Sequence, residues 1–218
     1  MNVLSDHYVD VFDMNYSWVG QKLKSEVHKF GLWHRVFSCV VIDSKSNTVY
    51  FQKKKDKLYD FVRPNYIDIS VGGHYIAGEK IEDGIREFKE ETGQMISFND
   101  LHPLGLRKSV FSIDNTYNCC EFQHVFLYDF AGKSVYFDGS EKEIKSILEV
   151  DIDDFYQLLI GQTKTVVVQR SWPTMQDKEC LTIRDIDPAF LSGDQFLLRL
   201  VIAARRYVRG DNPEEIFW

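Results

Sequence analysis

The sequence has few cysteines and no excess of basic residues. Four cysteines are spread over 218 residues, and the adjacent pair Cys119–Cys120 lacks the spacing of a structural zinc site. Lys and Arg total 26 against 33 Asp and Glu, giving a net charge of -7, so the surface as a whole does not attract a nucleic-acid backbone. We therefore predict reduced thiols, a cytoplasmic location and no nucleic-acid polymer as partner.

Long apolar runs and internal repeats are also absent from the sequence. No segment reaches the roughly 20 apolar residues that cross a bilayer. The first thirteen residues, MNVLSDHYVDVFD, carry acids where a signal peptide carries a basic segment followed by an apolar one. We therefore predict neither export by that route nor a membrane partner. The hydrophobic content of 44% is enough for the core of one domain.

The order of strand and helix signals predicts one α/β or α+β domain. Strands are predicted at 37–42, 48–52, 66–71, 104–113, 117–128 and 163–169, and helices at 82–92, 153–160 and 194–209. The strands at 37–52 and 104–128 are expected to form two hairpins, the second around a turn at Asp114-Asn115. The strand at 66–71 is expected to run into a turn at Gly72-Gly73. We predict a single domain over residues 1–218, with its core at about 30–150 and a C-terminal extension at 151–218.

The helix predicted at 82–92 combines an apolar stripe with an acidic face. The stripe is formed by Ile81, Ile85 and Phe88. Glu87, Glu90 and Glu91 follow the spacing i, i+3 and i+4 and share another face. Carboxylates this close repel one another, and Mg²⁺ relieves such repulsion because it prefers oxygen ligands. From these three glutamates alone, an ordinary solvated acidic face is the usual interpretation.

Residues on both sides of this helix complete a longer motif over residues 73–94. Gly73, Glu79, Arg86-Glu87-Phe88, Glu90-Glu91 and Gly93 occur in the order of the Nudix box, G-x₅-E-x₇-R-E-U-x-E-E-x-G-U, where U is a bulky apolar residue. The chain thus resembles the Nudix hydrolases. It departs from the box at two points: six residues instead of seven separate Glu79 from Arg86, and Gln94 occupies a position that is usually apolar.

The resemblance implies a fold and a set of metal ligands. The implied fold is an α/β/α sandwich around a mixed β-sheet, here with a C-terminal helical extension. The implied cofactor is Mg²⁺, with Mn²⁺ as an alternative, bound by Glu87, Glu90 and Glu91. Glu90 and Glu91 are the metal ligands to which we assign the largest catalytic role.

The resemblance also implies roles for residues around the metal. Arg86 is predicted to be a catalytic residue that orients a glutamate of the box, such as Glu79, through an ion pair. Gly73 and Glu79 are predicted to contribute to substrate binding. Glu121 is a candidate for the base that activates water, because its strand is expected to border the cleft. The alternative interpretation of Glu121 is an exposed strand residue.

Residues 8–130 further resemble the Nudix branch that is related to type I isopentenyl diphosphate isomerase. In those isomerases a second metal is bound by histidines and strand glutamates, which correspond here to His28, His34, His74 and Glu121. Cys119 stands where that site has its other glutamate, and Gly72 stands where the isomerases have a catalytic cysteine. The resemblance therefore implies an incomplete second metal site, and the histidines have a purely structural interpretation as the alternative.

The predicted function is metal-dependent hydrolysis of a small organic diphosphate, such as a nucleoside diphosphate linked to another group. The first alternative is isomerisation of isopentenyl diphosphate, which the histidines favour and Gly72 opposes. The second is a non-catalytic ligand-binding module, which the shortened spacing after Glu79 suggests. The lysines at 53–57 could contact substrate phosphates across the cleft, but a lysine-rich loop is usually solvated, so they receive no role. The extension at 151–218 carries no recognised motif, and we consider two roles for it: shaping the choice of substrate, or forming an oligomer interface such as that of a homodimer.

Overall fold

A computed structural model describes residues 6–55, 65–114, 117–133, 144–172 and 177–217. Within these residues, eleven strands form one sheet. The strands are β1 (Tyr8–Phe12), β2 (Trp18–Leu23), β3 (Trp33–Asp43), β4 (Thr48–Lys54), β5 (Ile67–Asp68), β6 (Val71–His74), β7 (His102–Asp114), β8 (Tyr117–Asp129), β9 (Ile144–Asp151), β10 (Val166–Trp172) and β11 (Lys178–Leu181). The helices are α1 (Lys24–Phe30), α2 (Ile85–Thr92), α3 (Ile152–Leu159), α4 (Pro188–Leu191) and α5 (Phe196–Val208).

Strand β3 is the centre of the sheet and makes it a mixed one. It pairs antiparallel with β4 and β6, and parallel with β8 from Trp33 opposite Cys120 to Ile42 opposite Asp129. Strands β7 and β8 form an antiparallel pair. The mixed sheet and the two predicted hairpins are therefore confirmed. Asn115, which was predicted to lie in the turn of the second hairpin, is outside the described residues. Lys57, which was predicted to lie in a lysine-rich loop, is outside them as well.

Both faces of the sheet are buried, and β3 shows why its sequence is almost continuously apolar. Val40 and Ile42 point into a cluster that contains Leu200 of α5. Phe37, Cys39 and Val41 of β3 point into a second cluster, which contains Phe88 of α2. The sheet thus lies between α2 on one face and α3 with α5 on the other, as the α/β/α prediction requires.

The C-terminal part of the chain belongs to the main hydrophobic cluster. Buried residues of α3 and α5, together with Ile216, pack in the same cluster as strands β3 and β4. This packing supports our proposal that residues 1–218 form one domain, in which 151–218 extend the core. In the described part of the chain, every helix is too short or too polar to cross a membrane.

Two local predictions around the motif were wrong. Residues Ile81–Gly84 form a 3₁₀ turn, and the α-helix begins only at Ile85. The last residue of this turn, Gly84, lies close to Phe37 and Tyr75. A Cβ built on Gly84 would lie 2.7 Å from the side chains of both residues. Gly72 and Gly73 lie within β6 and pair with β3, instead of forming a turn. The lack of a side chain at Gly73 leaves room for the carboxylate of Glu87 from α2, described below.

Candidate active site

A cleft of about 420 Å³ lies beside the acidic side of α2. This volume falls in the range of small-molecule sites. Of the site residues predicted from sequence, the cleft is lined by Gly73, Arg86, Glu87, Glu90, Glu91 and Glu121. Glu79 does not line it, but contacts the site through Arg86. Strand β8 and residues Phe190 and Phe196 of the C-terminal part complete the walls.

Arg86 connects three glutamates of the motif. Its Nε donates to Oε1 of Glu79 at 2.9 Å, Nη2 to Oε1 of Glu87 at 2.9 Å, and Nη1 to Oε2 of Glu90 at 2.8 Å. Nη2 also donates to the backbone oxygen of His74 at 3.2 Å. Burial opposes the charged form, but these carboxylates raise the pKa of Arg86. The shortened spacing therefore leaves Glu79 within reach of Arg86.

Glu91 is buried and paired with a lysine to which the sequence analysis assigned no role. Lys54 Nζ lies 2.7 Å from Oε1 of Glu91, and Gln52 Nε2 donates to Oε2 at 3.2 Å. The backbone N–H of Gly72 also donates to Oε2, at 2.9 Å. Burial raises the pKa of Glu91, although the lysine opposes this effect. The expectation that the lysines of 53–57 are solvated was wrong for Lys53, which pairs with Glu179, and for Lys54, since each of these two side chains is only 12% exposed.

Glu87 lies directly against the backbone of Gly73. A Cβ built on Gly73 would lie 2.1 Å from the carboxyl carbon of Glu87, so this position requires glycine if the carboxylate is to stay in place. Burial raises the pKa of Glu87 to about 7, and the carboxylates of Glu91 and Glu90 add to this rise while Arg86 opposes it. Because burial and neighbouring carboxylates disfavour the ionised form of Glu87, a bound cation would stabilise that form.

The charge balance of the site fits a divalent cation. When ionised, the four glutamates of the motif carry four negative charges, and Arg86 and Lys54 supply two positive ones. This leaves an excess of two negative charges at one end of a cleft. All of the donors are carboxylate oxygens, the ligand type that Mg²⁺ and Mn²⁺ prefer. The residues therefore fit the metal that the family resemblance implies.

The sequence-based expectation that Glu87 binds Mg²⁺ predicts that activation by Mg²⁺ weakens as the pH falls below about 7. Protons compete with the metal for Glu87, because burial raises the pKa of this carboxyl to about 7. The Mg²⁺ concentration that gives half-maximal hydrolysis should rise by up to about tenfold per pH unit. The measurement is a Mg²⁺ titration of activity at pH 6 and pH 8. Equal half-maximal concentrations at both pH values would contradict the assignment of Glu87 as a ligand.

Glu121 lies across the cleft on β8 and is buried. Its side chain accepts a hydrogen bond of 2.6 Å from Nε2 of Gln123 to Oε2. The residue is only 6% exposed, so the alternative interpretation as an exposed strand residue was wrong. Its neighbour across the parallel β3–β8 pair is His34. Glu121 is thus placed where it can contact a ligand in the cleft.

The three histidines that resemble the second metal site lie close together. The ring nitrogens of His28, His34 and His74 lie within 4.8 Å of one another, in an arrangement that could hold a metal ion. Burial lowers the pKa of His28 to about 3 and also lowers the pKa of His34 and His74, which favours the neutral form of the rings that a metal would bind. Cys119 Sγ lies 3.8 Å from Nδ1 of His28. Whether the chain belongs to the isomerase-related branch stays a prediction.

Sequence reasoning missed the residues that surround the glutamates. Gln52 and Lys54 follow the apolar run of β4. A glutamine directly after an apolar strand segment is the sequence signal that could have indicated a buried polar site, and Gln52 is indeed buried. Phe190 and Phe196 come from the C-terminal part, which carried no motif. Only tertiary packing brings them to the cleft.

The fold and the cleft define an α+β protein with an acidic site at one face of a mixed sheet. The NUDIX domain model matches residues 32–172 of the chain. An uncharacterized Nudix hydrolase from Clostridium acetobutylicum is 33% identical over 158 residues, which cover 72% of this chain and 75% of that protein. The chain therefore belongs to the Nudix family, whose members hydrolyse pyrophosphate bonds and generally use divalent metals.

One further relative and one solved structure are similar to this chain. An uncharacterized Nudix hydrolase from Nostoc sp. is 30% identical over 99 residues, which cover 44% of this chain and 57% of that protein. The crystal structure of DR0079 from Deinococcus radiodurans matches with a TM-score of 0.51 and 18% identity, and covers 71% of this chain and 90% of that one. At this identity the structural match shows the fold alone.

Proposed function

We propose that this protein is a Mg²⁺-dependent hydrolase of small organic diphosphates, such as a nucleoside diphosphate linked to another group. The observation that carries the proposal is the cluster of glutamates around Arg86, which leaves uncompensated negative charge beside a cleft of small-molecule size. A divalent cation would neutralise this charge, and Mn²⁺ is the alternative ion. The four free cysteines agree with a reducing, cytoplasmic compartment.

The metal would be bound by Glu87, Glu90 and Glu91. When bound, it would neutralise the phosphate oxygens that otherwise repel a nucleophile. Arg86 positions two of these carboxylates through its bonds to Glu87 and Glu90, and it fixes Glu79 behind them. Gly73 contributes by its lack of a side chain, which leaves room for the carboxylate of Glu87.

Glu121 is the residue that we propose as the general base. It lies across the cleft from α2, and its carboxylate is oriented by Gln123. A base needs to lie within hydrogen-bond reach of the attacking water, and a buried carboxylate on a strand has a fixed position from which to do this. Lys54 lines the same cleft, where its positive charge favours an anionic substrate.

The test is to incubate the purified protein with MgCl₂ and a panel of compounds. The panel contains UDP-glucose, NADH, diadenosine tetraphosphate and dGTP, and released phosphate compounds are separated by anion-exchange chromatography. We expect turnover of at least one compound, with cleavage at a phosphoanhydride bond and no turnover in excess EDTA. Tight binding of a compound that stays uncleaved with Mg²⁺ present would favour a non-catalytic module instead.

A second candidate function is the isomerisation of isopentenyl diphosphate. The cluster of His28, His34 and His74 is the observation that favours it. Gly72 opposes it, since this residue has no nucleophilic side chain. Proton NMR of isopentenyl diphosphate after incubation with the protein and Mg²⁺ separates the two reactions. We expect no dimethylallyl product, and its appearance would make this second function the correct one.

A further inference from the structure

We propose that the C-terminal part of the chain positions the catalytic carboxylate: Asp194, acting through Arg107 and Gln123, orients Glu121 in the cleft. This inference rests on the proposed function, in which Glu121 is the general base. Asp194 lies outside the residues that match the NUDIX domain model, which end at 172. The extension would thus contribute to the reaction as well as to the core.

The orientation of the Gln123 amide is fixed by its neighbour on the adjacent strand. Arg107 on β7 lies opposite Gln123 on β8, and its Nη1 donates to Oε1 of Gln123 at 3.0 Å. A guanidinium group only donates hydrogen bonds, so the atom that faces Arg107 must be the amide oxygen. The amide nitrogen consequently faces the other way, where it donates to Oε2 of Glu121 at 2.6 Å.

Arg107 is in turn held by residues of the C-terminal part. Its Nε and Nη2 donate to the two carboxylate oxygens of Asp194 at 2.7 and 3.1 Å, which is a bidentate pair. Nη2 also donates to the backbone oxygen of Ala189 at 3.2 Å. The guanidinium group lies 4.0 Å from the centroid of the Phe196 ring. These contacts leave the side chain of Arg107 only 6% exposed and with one defined orientation.

The resulting chain of hydrogen bonds selects one oxygen of Glu121. Residues 121 and 123 are two apart on one strand, so their side chains lie on the same face of the sheet. With Oε2 engaged by Gln123, the oxygen that would take a proton from water is Oε1. Buried chains of hydrogen bonds fix such geometry, and small displacements of a catalytic group lower the rate strongly.

The test is steady-state kinetics of Asp194→Asn on whichever compound of the panel is hydrolysed fastest. The substituted amide no longer offers two acceptor oxygens to Arg107, so the guanidinium group and the Gln123 amide lose their fixed orientation. We expect kcat to fall by about 10- to 100-fold. The KM and the Mg²⁺ dependence should change by less than about twofold. Asp211→Asn is the matched control, because it removes another Arg–Asp pair of the same C-terminal part, Arg206 with Asp211.

A double-mutant cycle that combines Asp194→Asn with Glu121→Gln distinguishes a role of Asp194 in positioning Glu121 from a general loss of structure. If Asp194 acts through Glu121, adding Asp194→Asn to Glu121→Gln should lower kcat no further. Equal losses in both backgrounds, or an unchanged kcat in Asp194→Asn, would overturn the inference. If Asp194→Asn does not fold, as its thermal melting would reveal, Arg107→Lys is measured in its place with the same expectation. An unchanged kcat in Glu121→Gln itself would instead refute the role of Glu121 in the proposed function.

Discussion

Glu90→Gln should lower kcat/KM for the best compound of the panel by about 1000-fold in the presence of Mg²⁺. This loss corresponds to about 4 kcal/mol of transition-state stabilisation, a reasonable share for one metal ligand. Glu90 is the cleanest ligand to test, because its side chain is 51% exposed and its pair with Arg86 is an i,i+4 contact on the helix surface. Such exposed pairs contribute little to stability.

The matched control for Glu90→Gln is Glu82→Gln. Glu82 is exposed to a similar extent, lies on the 3₁₀ turn before α2, and pairs loosely with Lys80 at 3.9 Å. It does not line the cleft, so its substitution should leave kcat/KM within about twofold of the parent value. Thermal melting should be nearly the same for both variants. A Glu90→Gln variant with full Mg²⁺-dependent activity would contradict the metal assignment.

Arg86→Lys should lower kcat by about 100-fold, although it keeps the positive charge. The guanidinium group of Arg86 donates to three carboxylates in three directions, and the single ammonium group of lysine cannot reproduce this planar set. We expect Glu79 and Glu87 to lose their common orientation. The Mg²⁺ concentration for half-maximal activity should rise at the same time, which a Mg²⁺ titration of the hydrolysis rate would measure.

Arg205→Lys provides the control for this substitution. Arg205 also forms a short ion pair, with Asp153 at 2.7 Å, but this pair joins α5 to α3 away from the cleft. Its replacement by lysine should leave both kcat and the Mg²⁺ dependence unchanged. If Arg86→Lys behaved like Arg205→Lys, the role of Arg86 in orienting the glutamates would be refuted.

Local sequence patterns predicted the parts of the fold that depend on local periodicity. The strands of the two hairpins and the acidic face of α2 follow from spacings within a few residues. The 3₁₀ turn before α2 was not predicted, and the close contact of its last residue, Gly84, with Phe37 and Tyr75 leaves no local spacing signal. The strand conformation of Gly72 and Gly73 was likewise missed, since it depends on pairing with β3.

In the site, too, local spacing predicted some residues, whereas contacts between distant parts of the sequence bring in the others. Glu87, Glu90 and Glu91 could be grouped from their spacing on one helix, and Arg86 from its place in the motif. Lys54 and Gln52 come from β4, about forty residues earlier in the sequence, and only the packing of α2 against the sheet brings them to Glu91. Asp194 is still more distant from Glu121 in sequence. Contacts of this kind leave no periodic signal, because they are set by the packing of the whole domain.

Anomalous diffraction from crystals grown with MnCl₂ is the most direct test of the central claim, that a divalent ion binds to the acidic side of α2. We predict an anomalous peak in contact with carboxylate oxygens of Glu87, Glu90 and Glu91. Mn²⁺ would be seen there because it shares the oxygen preference of Mg²⁺. Density for manganese only at the three histidines, or solvent alone between the glutamates, would contradict the claim.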